Sequence, residues 1–426
     1  MPNDDSPAAG AGSSAAGATR IGPRLWALFG ATFFSMALNI GQITIVGKQV
    51  FDMTGRPLYL GLLGLAGFVP AFLLAPVTGM VGDRFERRSV FAWGLGGEAL
   101  ASIGLFVYVA TDPTSILPIY GLVAAFGAAR AFLMAVNRAL PVDLAPEEAR
   151  ERMVALNVAS WQAGIIVGPV ALAFAFEVDP ALPYLMAAGA AAAAIGLLML
   201  LPRSEVRRAA SEAGAGVQAA LGRALEGLSY VRRNRVVLGA ISLDLFAVFM
   251  GGANALLPAI AEERLGVGAV GLGWLAAAVG IGASAVMVVL SVRPLRRRVG
   301  PSLMGVVAAF GMGAIMLGLT RSYSVAFVAL LVMGAADSVS VFVRSNLVPL
   351  ATPEEMRGRV LAVEYVFIGG SSELGAFKSG VAAALLGVAG AVVFGGVGTL
   401  AVVAIWWSAF PELRTIDRFA EVRPET

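Results

Sequence analysis

Residues 79–88 read GMVGDRFERR. Five of these ten positions are charged, and the segment lies between two long apolar runs at 57–80 and 89–110. Ionised side chains are expensive in hydrocarbon, so the stretch marks a membrane boundary. Outward from it, apolar runs of about 20 residues recur along the whole chain, the length that crosses ~30 Å of hydrocarbon. The 426 residues are 58% hydrophobic and only 14% charged, with a mean hydropathy of +0.81. A water-soluble domain carries about 25% charged residues, so this chain cannot hide its apolar surface in one core. The runs are continuous rather than alternating, which excludes a closed β-barrel. An all-α integral membrane protein is predicted.

Turn signals divide the apolar sequence into twelve spans. The first six cover 24–50, 57–80, 89–110, 115–141, 153–176 and 181–201. The second six cover 236–259, 269–291, 301–320, 323–349, 360–386 and 390–410. Between the sets, 202–235 is polar and holds seven arginines. Leu221, Leu225 and Leu228 share one helical face there, as expected of an amphipathic linker on the membrane surface or of a plain solvated hinge. Residues 1–19 are rich in Ala, Gly and Ser with Asp4 and Asp5, the composition of a disordered tail. They lack the basic start and short apolar run of a cleaved signal. The expected order is a tail (1–19), a six-helix bundle (20–201), the linker (202–235), a second six-helix bundle (236–410) and a tail (411–426). The turn SVRPLRRRVG (291–300) occupies in the second half the place of the charged turn in the first. Arg297, Arg298 and Gly300 match a degenerate basic pattern, and the acidic member is missing. Two pseudo-symmetric bundles are implied, a design that binds substrate between the halves and rocks one against the other.

The arginines set the orientation. With the N-terminus inside, the inner turns hold Arg20, Arg24, Arg84, Arg87, Arg88, Arg150, Arg152, the linker set, Arg293, Arg296–Arg298, Arg357, Arg359, Arg414, Arg418 and Arg423. The outer turns hold Arg56, Arg264 and Arg321. The positive-inside rule then places both termini and the linker in the cytoplasm, with the chain threaded many times through the inner cell membrane. The basic character is explained by orientation, and no nucleic-acid partner is expected. There is no cysteine and no histidine, so no disulfide and no thiolate or imidazole metal site is expected, and proton chemistry falls to Asp and Glu. No P-loop Gly-Lys-Ser/Thr is present, so ATP is not the direct drive. No enzyme activity and no cofactor is expected. The expected drive is an ion gradient, of protons first. The expected partners are the lipid bilayer and a small-molecule substrate, with the monomer as the working unit.

The pattern Gly-x-x-x-Asp-Arg-x-x-Arg-Arg of 79–88 resembles the loop between helices 2 and 3 of the major facilitator superfamily (MFS) of transporters. Gly79 admits a close helix neighbour. Asp83 can accept hydrogen bonds at the start of another helix, where the dipole favours an anion. Arg84, Arg87 and Arg88 can pair with carboxylates across that surface. The resemblance implies that Asp83, Arg84 and Arg88 clamp the two halves together in the outward-open state. Glu86 departs from the pattern, which usually has Gly there. The stretch Gly164-Ile-Ile-Val-Gly168-Pro169 resembles in part the fifth-helix signature of the superfamily's antiporters, with a proline kink and small residues for close packing. Longer stretches, 55–88, 243–275, 334–380 and 410–418, resemble the enterobactin-exporter-like branch, which includes macrolide-efflux-like members. The likeness implies the MFS fold of twelve transmembrane helices, secondary active efflux and proton antiport.

Charged residues inside spans are functional candidates by default. Arg130 lies deep in the fourth span, where the superfamily often carries an arginine linked to proton coupling. Asp244 is in the seventh. Asp337 and Arg344, in the tenth, are two turns apart on one face. Glu364, Glu373 and Lys378 are in the eleventh, with Glu364 one turn from the inner end. A carboxylate that alternates between a low-dielectric cavity and the neighbourhood of a cation can take up a proton on one side and release it on the other. The same groups also fit neutralised pairs that hold helices together. Glu98, Asn39, Gln42 and Lys48 can line the same cavity, each alone being a packing or interface residue. The leading expectation is a secondary active exporter of an amphipathic, siderophore-like or drug-like small molecule by proton antiport. An uptake symporter and a transport-inactive membrane sensor are the alternatives.

Overall fold

The computed structural model describes residues 23–137, 140, 150–201 and 217–424. The expected tail at 1–19, Arg138 and the first part of the linker lie outside the described residues. In the first half, α1 is Pro23–Thr54, α2 Pro57–Arg84, α3 Arg87–Val109, α4 Leu117–Asn137, α5 Arg150–Val178 and α6 Leu182–Met199. The linker helix α7 is Val217–Arg233. In the second half, α8 is Arg235–Gly251, α9 Ala269–Val292, α10 Val299–Leu319 and α11 Tyr323–Leu350, followed by a 56-residue helical stretch, Glu354–Ala409. That stretch is two spans, α12 (354–386) and α13 (388–409), joined at Gly387. Its φ of +72° is a left-handed value that a side chain makes costly, so the two spans turn on a single residue. The chain is an all-helical, twelve-span membrane protein. Lipid offers no hydrogen-bond partner to the backbone, and helices satisfy every peptide group within the segment.

Helices overrun the apolar runs that announce them. α2 continues through Asp83 and Arg84, and only Phe85 and Glu86 separate it from α3. The charged segment is therefore mostly helix, closed by a bond from Phe85 N to Val81 O at 3.0 Å. Hydropathy locates the edge of the hydrocarbon, whereas helical hydrogen bonding continues into water. The seventh span departs the other way. It breaks after Gly251, passes Gly252 (φ −32°, ψ 34°), and resumes as a tight turn at Ala253–Leu256 and a wide turn at Ile260–Leu265.

Within the first half α1 lies along α5. A methyl at Gly41 would stand 2.7 Å from the Gly168 carbonyl oxygen, so the two backbones touch. Two seams join the halves, α5 against α9 and α2 against α12. One face of the molecule carries Arg84, Arg87, Arg88, Arg297, Arg298, Arg357 and Arg359 and is called here the arginine-rich face. The opposite face carries Arg56, Arg264 and Arg321.

On the arginine-rich face α7 rests against the start of α12. Glu226 pairs with Arg359 at 2.5 Å, and Tyr230 Oη donates to Ala351 O at 2.7 Å. Leu225 is exposed and Leu228 half-buried, while the side chain of Leu221 is outside the described residues. The chain end returns to the same face. Asp417 Oδ1 accepts from Arg298 N at 3.0 Å, and Arg297 Nε pairs with Asp417 Oδ2 at 3.3 Å. The acid absent from the turn at 291–300 is thus supplied from the C-terminal segment. The Arg298 backbone N–H first, and the Arg297 guanidinium with it, hold the Asp417 carboxyl below the usual carboxylate range.

Candidate functional site

A cavity of about 1070 Å³ lies between the halves. α1, α2 and α4 wall it from one side, and the broken part of α8 with α12 from the other. Its lining is mostly apolar and aromatic, including Phe68, Phe72, Phe126, Phe310 and Tyr365, with Gln42, Thr44, Arg130, Asn254, Ser372 and Glu373 as polar groups. Thr78, Gly79, Gly82 and Arg87 line its end at the arginine-rich face, across from Ala362 and Val366. The other end stops at Gly47, Leu60 and Pro258.

The opposite face is sealed beyond that end. Lys48 is buried, pairs with Asp52 of its own helix at 2.5 Å and reaches Glu262 of the other half at 3.3 Å. Its ammonium stands 5.9 Å from the Phe176 ring centroid. Glu177 Oε1 accepts from Ala269 N at 2.9 Å, a carboxylate on the positive end of α9, where the dipole favours it. From this seal the two seams run inward as far as Phe68 against Gly369 and Gln162 Nε2 on Gly280 O at 2.9 Å. Past those points Phe72, Ala75 and Thr78 border open space.

Two charge clusters flank the cavity. In the first, Arg130 of α4 stands on the wall, acted on by Glu98 of α3 and by Glu373 of α12 in the other half. Glu373 lies directly on α2, where a methyl at Gly64 would stand 2.8 Å from Glu373 Oε2. Glu98 is 0% exposed. Its Oε1 accepts from Asn39 Nδ2 at 3.2 Å. One turn on, Ser102 Oγ reaches Gln42 Oε1 and the Glu98 carbonyl, each at 2.7 Å.

The second cluster is joined by direct pairs, with Arg344 Nε alone of its guanidinium nitrogens left without a partner. Arg344 Nη2 pairs with Asp244 Oδ1 and Nη1 with Glu364 Oε1, both at 3.0 Å, with side chains 3%, 6% and 9% exposed. Ser340 Oγ adds a bond to Asp244 Oδ1 at 3.3 Å. Glu364 is thus a member of a buried triad, not a residue of the inner interface. Asp337 is exposed and borders a small cleft with Asp244, Ser340 and Phe310.

Lys378 lies in neither cluster. Its Nζ donates to Met250 O at 2.5 Å and stands 5.8 Å from the Phe394 ring centroid. That carbonyl belongs to the last turn of α8, where the break at Gly252 removes its helical partner, and a cation at a helix C-terminus is favourable. On the arginine-rich face Gly79 has open space around it and Arg84 is exposed. Arg87 lines the cavity, Arg88 donates to Leu201 O within its own half, and the side chain of Asp83 is outside the described residues. Gly164 and Gly168 pack on α1 and Pro169 on α9: a methyl at Gly164 would stand 2.6 Å from Phe33 O, and one at Gly273 2.7 Å from Pro169 O. Glu98 was the residue that the sequence underweighted. The signal available was its one-turn spacing to Ser102, matching Asn39 and Gln42 on α1.

Twelve spans in two sets around one central cavity define a multi-pass secondary transporter. The sequence profile of the Major Facilitator Superfamily matches residues 25–376, and the chain belongs to that superfamily, whose members are transporters rather than enzymes. It is similar to the uncharacterized MFS-type transporter YfiS of Bacillus subtilis (strain 168), 24% identical over 364 residues, covering 81% of this chain and 83% of the relative. The fold resembles a POT family transporter in complex with 5-aminolevulinic acid, with a TM-score of 0.73 at 10% identity, covering 91% of this chain and 96% of that one. It also resembles a D-xylose–proton symporter, with a TM-score of 0.69 at 17% identity, covering 92% and 98%.

Proposed function

We propose that the protein exports an amphipathic small molecule from the cytoplasm in exchange for protons, by alternating access. The observation that carries the reading is Arg130. Its guanidinium stands on the wall of a largely apolar cavity, and a carboxylate of each half acts on it. An apolar cavity with a few convergent polar groups suits an amphipathic ligand. Glu373 is the exchangeable carboxylate of the cavity, able to hold a proton, to pair with Arg130 or to meet a cationic substrate group. The arginine-rich face is assigned to the cytoplasm by the positive-inside rule, so the cavity as described opens inward.

In this reading Asp83, Arg84, Arg87 and Arg88, with Gly79, close the inner face when the cavity opens outward. Asp244, Arg344 and Glu364 hold the second half together as it rocks. Asp337 borders that cluster as a second exchangeable acid, and Lys378 fixes the broken seventh span. Gly164, Gly168 and Pro169 give export-type packing at the α5 seam. Inside-out vesicles carrying the protein, energised and loaded with a pH-gradient dye, test the proposal with catecholate siderophores, macrolides and hydrophobic cations. Collapse of the gradient by one class, lost in Glu373→Gln, is expected. An unchanged gradient with folded protein across all three classes rejects export of these molecules by proton exchange.

A further inference from the structure

Glu98 is the buried acid that the exchange scheme above does not use. Its carboxyl group is fully enclosed, with Oε1 on the Asn39 amide. Oε2 has no partner, and neither has Asn39 Oδ1 in the same nest. Ser102 gives no relief, because its hydroxyl is directed to Gln42 Oε1 and the Glu98 carbonyl. The nest therefore holds more acceptors than donors. An ionised carboxyl group only accepts, and a buried acceptor left without a donor is destabilising.

One proton resolves the mismatch. A carboxylic acid has an O–H to give, and a side-chain amide has a donor edge and an acceptor edge. With the Asn39 amide turned one way it donates to the carboxylate. Turned the other way its Oδ1 accepts from the acid. Glu98 and Asn39 thus form a two-position element with one arrangement for each charge state.

We propose that Glu98 is a proton-binding site of the first half, behind the cavity wall, whose charge state decides whether Arg130 is held by its own half or by Glu373 of the other. Arg130 is the charged group that faces Glu98 from α4, and it also feels Glu373. α1 contributes the uncharged Asn39 and Gln42. α6 holds no charged residue, and its tyrosine, Tyr184, is in the first turn at the opposite-face end. α2 carries its charges at Asp83 and Arg84, at the arginine-rich end. The guanidinium keeps its charge throughout. When Glu98 is ionised it competes for Arg130. When Glu98 takes a proton, Arg130 is left to Glu373 and so to the seam between the halves. Gln42, which lines the cavity and meets Ser102, lies between the nest and the cavity.

The assignment rests on the exchange reading for its purpose but not for its test. Infrared difference spectra of the purified protein between acid and alkaline pH read protonated carboxyl groups directly. A carboxyl band that vanishes on alkalinisation is expected, absent in Glu98→Gln and moved in frequency in Asn39→Leu. Gln reproduces the shape and the donor of a protonated Glu98, so the variant is expected to fold. Should it not fold, the frequency shift in Asn39→Leu carries the test. Identical spectra for wild type and both variants overturn the proposal, as does a Glu98 band that persists at every pH. Proton-coupled flux unchanged in folded Glu98→Gln overturns it too, and leaves the transport reading intact. A titrating Glu98 band in protein without proton-coupled flux supports the site and rejects that reading instead.

Discussion

The two charge clusters of the membrane interior have similar ingredients and opposite degrees of closure. Around Arg344, two carboxylates are bound directly at 3.0 Å and a serine adds a further bond. Around Arg130, two carboxylates act from a distance, one in each half, and one of them keeps an oxygen without a partner. Breaking a direct buried pair is strongly destabilising, whereas a charge reached only from a distance can change its partner. The directly paired cluster lies within one half. The open one straddles the seam between the halves.

The largest effect should come from opening the closed cluster. Arg344→Met leaves two buried carboxylates uncompensated, and breaking such a pair costs about 3–5 kcal/mol. Thermal unfolding in detergent should register that loss, and adding Asp244→Asn with Glu364→Gln should recover most of it. Unchanged stability in the single variant would mean that the triad does not hold the half together. Arg130→Gln should act in the reverse manner, keeping the fold and losing coupling. Coupling between two sites is typically worth about 1–3 kcal/mol, so proton-driven flux should fall about tenfold with little change in unfolding. A variant that unfolds as readily as Arg344→Met would erase the distinction.

A third charged group marks the small end of the scale. Glu262 at the seal of the opposite face is half exposed, and exposed pairs contribute about 0.2–1 kcal/mol. Glu262→Gln should therefore shift the balance toward a form open at that face only a few-fold, read by spin-label distances across it. No movement of the distance distribution would transfer the seal to Glu177 and the start of α9. Smallest of all is the solvated Asp417. Its folded-state pKa is depressed, so its contribution to docking the chain end is present above the ordinary carboxylate range, near pH ~3.9. It is lost as pH falls through the lower folded value. Amide exchange at Arg298 and Gly300 should rise on acidification, and in Asp417→Asn it should already be raised at neutral pH.

Much of the fold is legible because hydropathy measures the same quantity that the bilayer selects. The charged stretch at 79–88 marks a membrane edge, and the glycine-flanked run around 387 separates two spans that the backbone joins without a loop. The site is less legible because its partners come from different helices. Arg130 and Glu373 stand out as lone charges in apolar runs, but Glu98 acquires meaning only when α1 brings Asn39 and Gln42 against it. Lys378 answers a carbonyl that exists as a free acceptor only because α8 breaks, and Gly251-Gly252 with Pro258 is the trace of this in the sequence. The acid for the turn at 291–300 arrives from Asp417, well over a hundred residues later, at a distance no local pattern covers.

The single-residue turn at Gly387 bears on how the chain is made. Two spans that share one glycine have no hydrophilic segment to push across the bilayer. Leu385 and Leu386, 78% and 57% exposed, are apolar up to the bend. The last two spans are therefore expected to enter the bilayer together, as a hairpin. A bulky residue at 387, where the left-handed backbone disfavours one, would be felt first during synthesis, as a final span stranded on the wrong side, before any loss of transport could be measured.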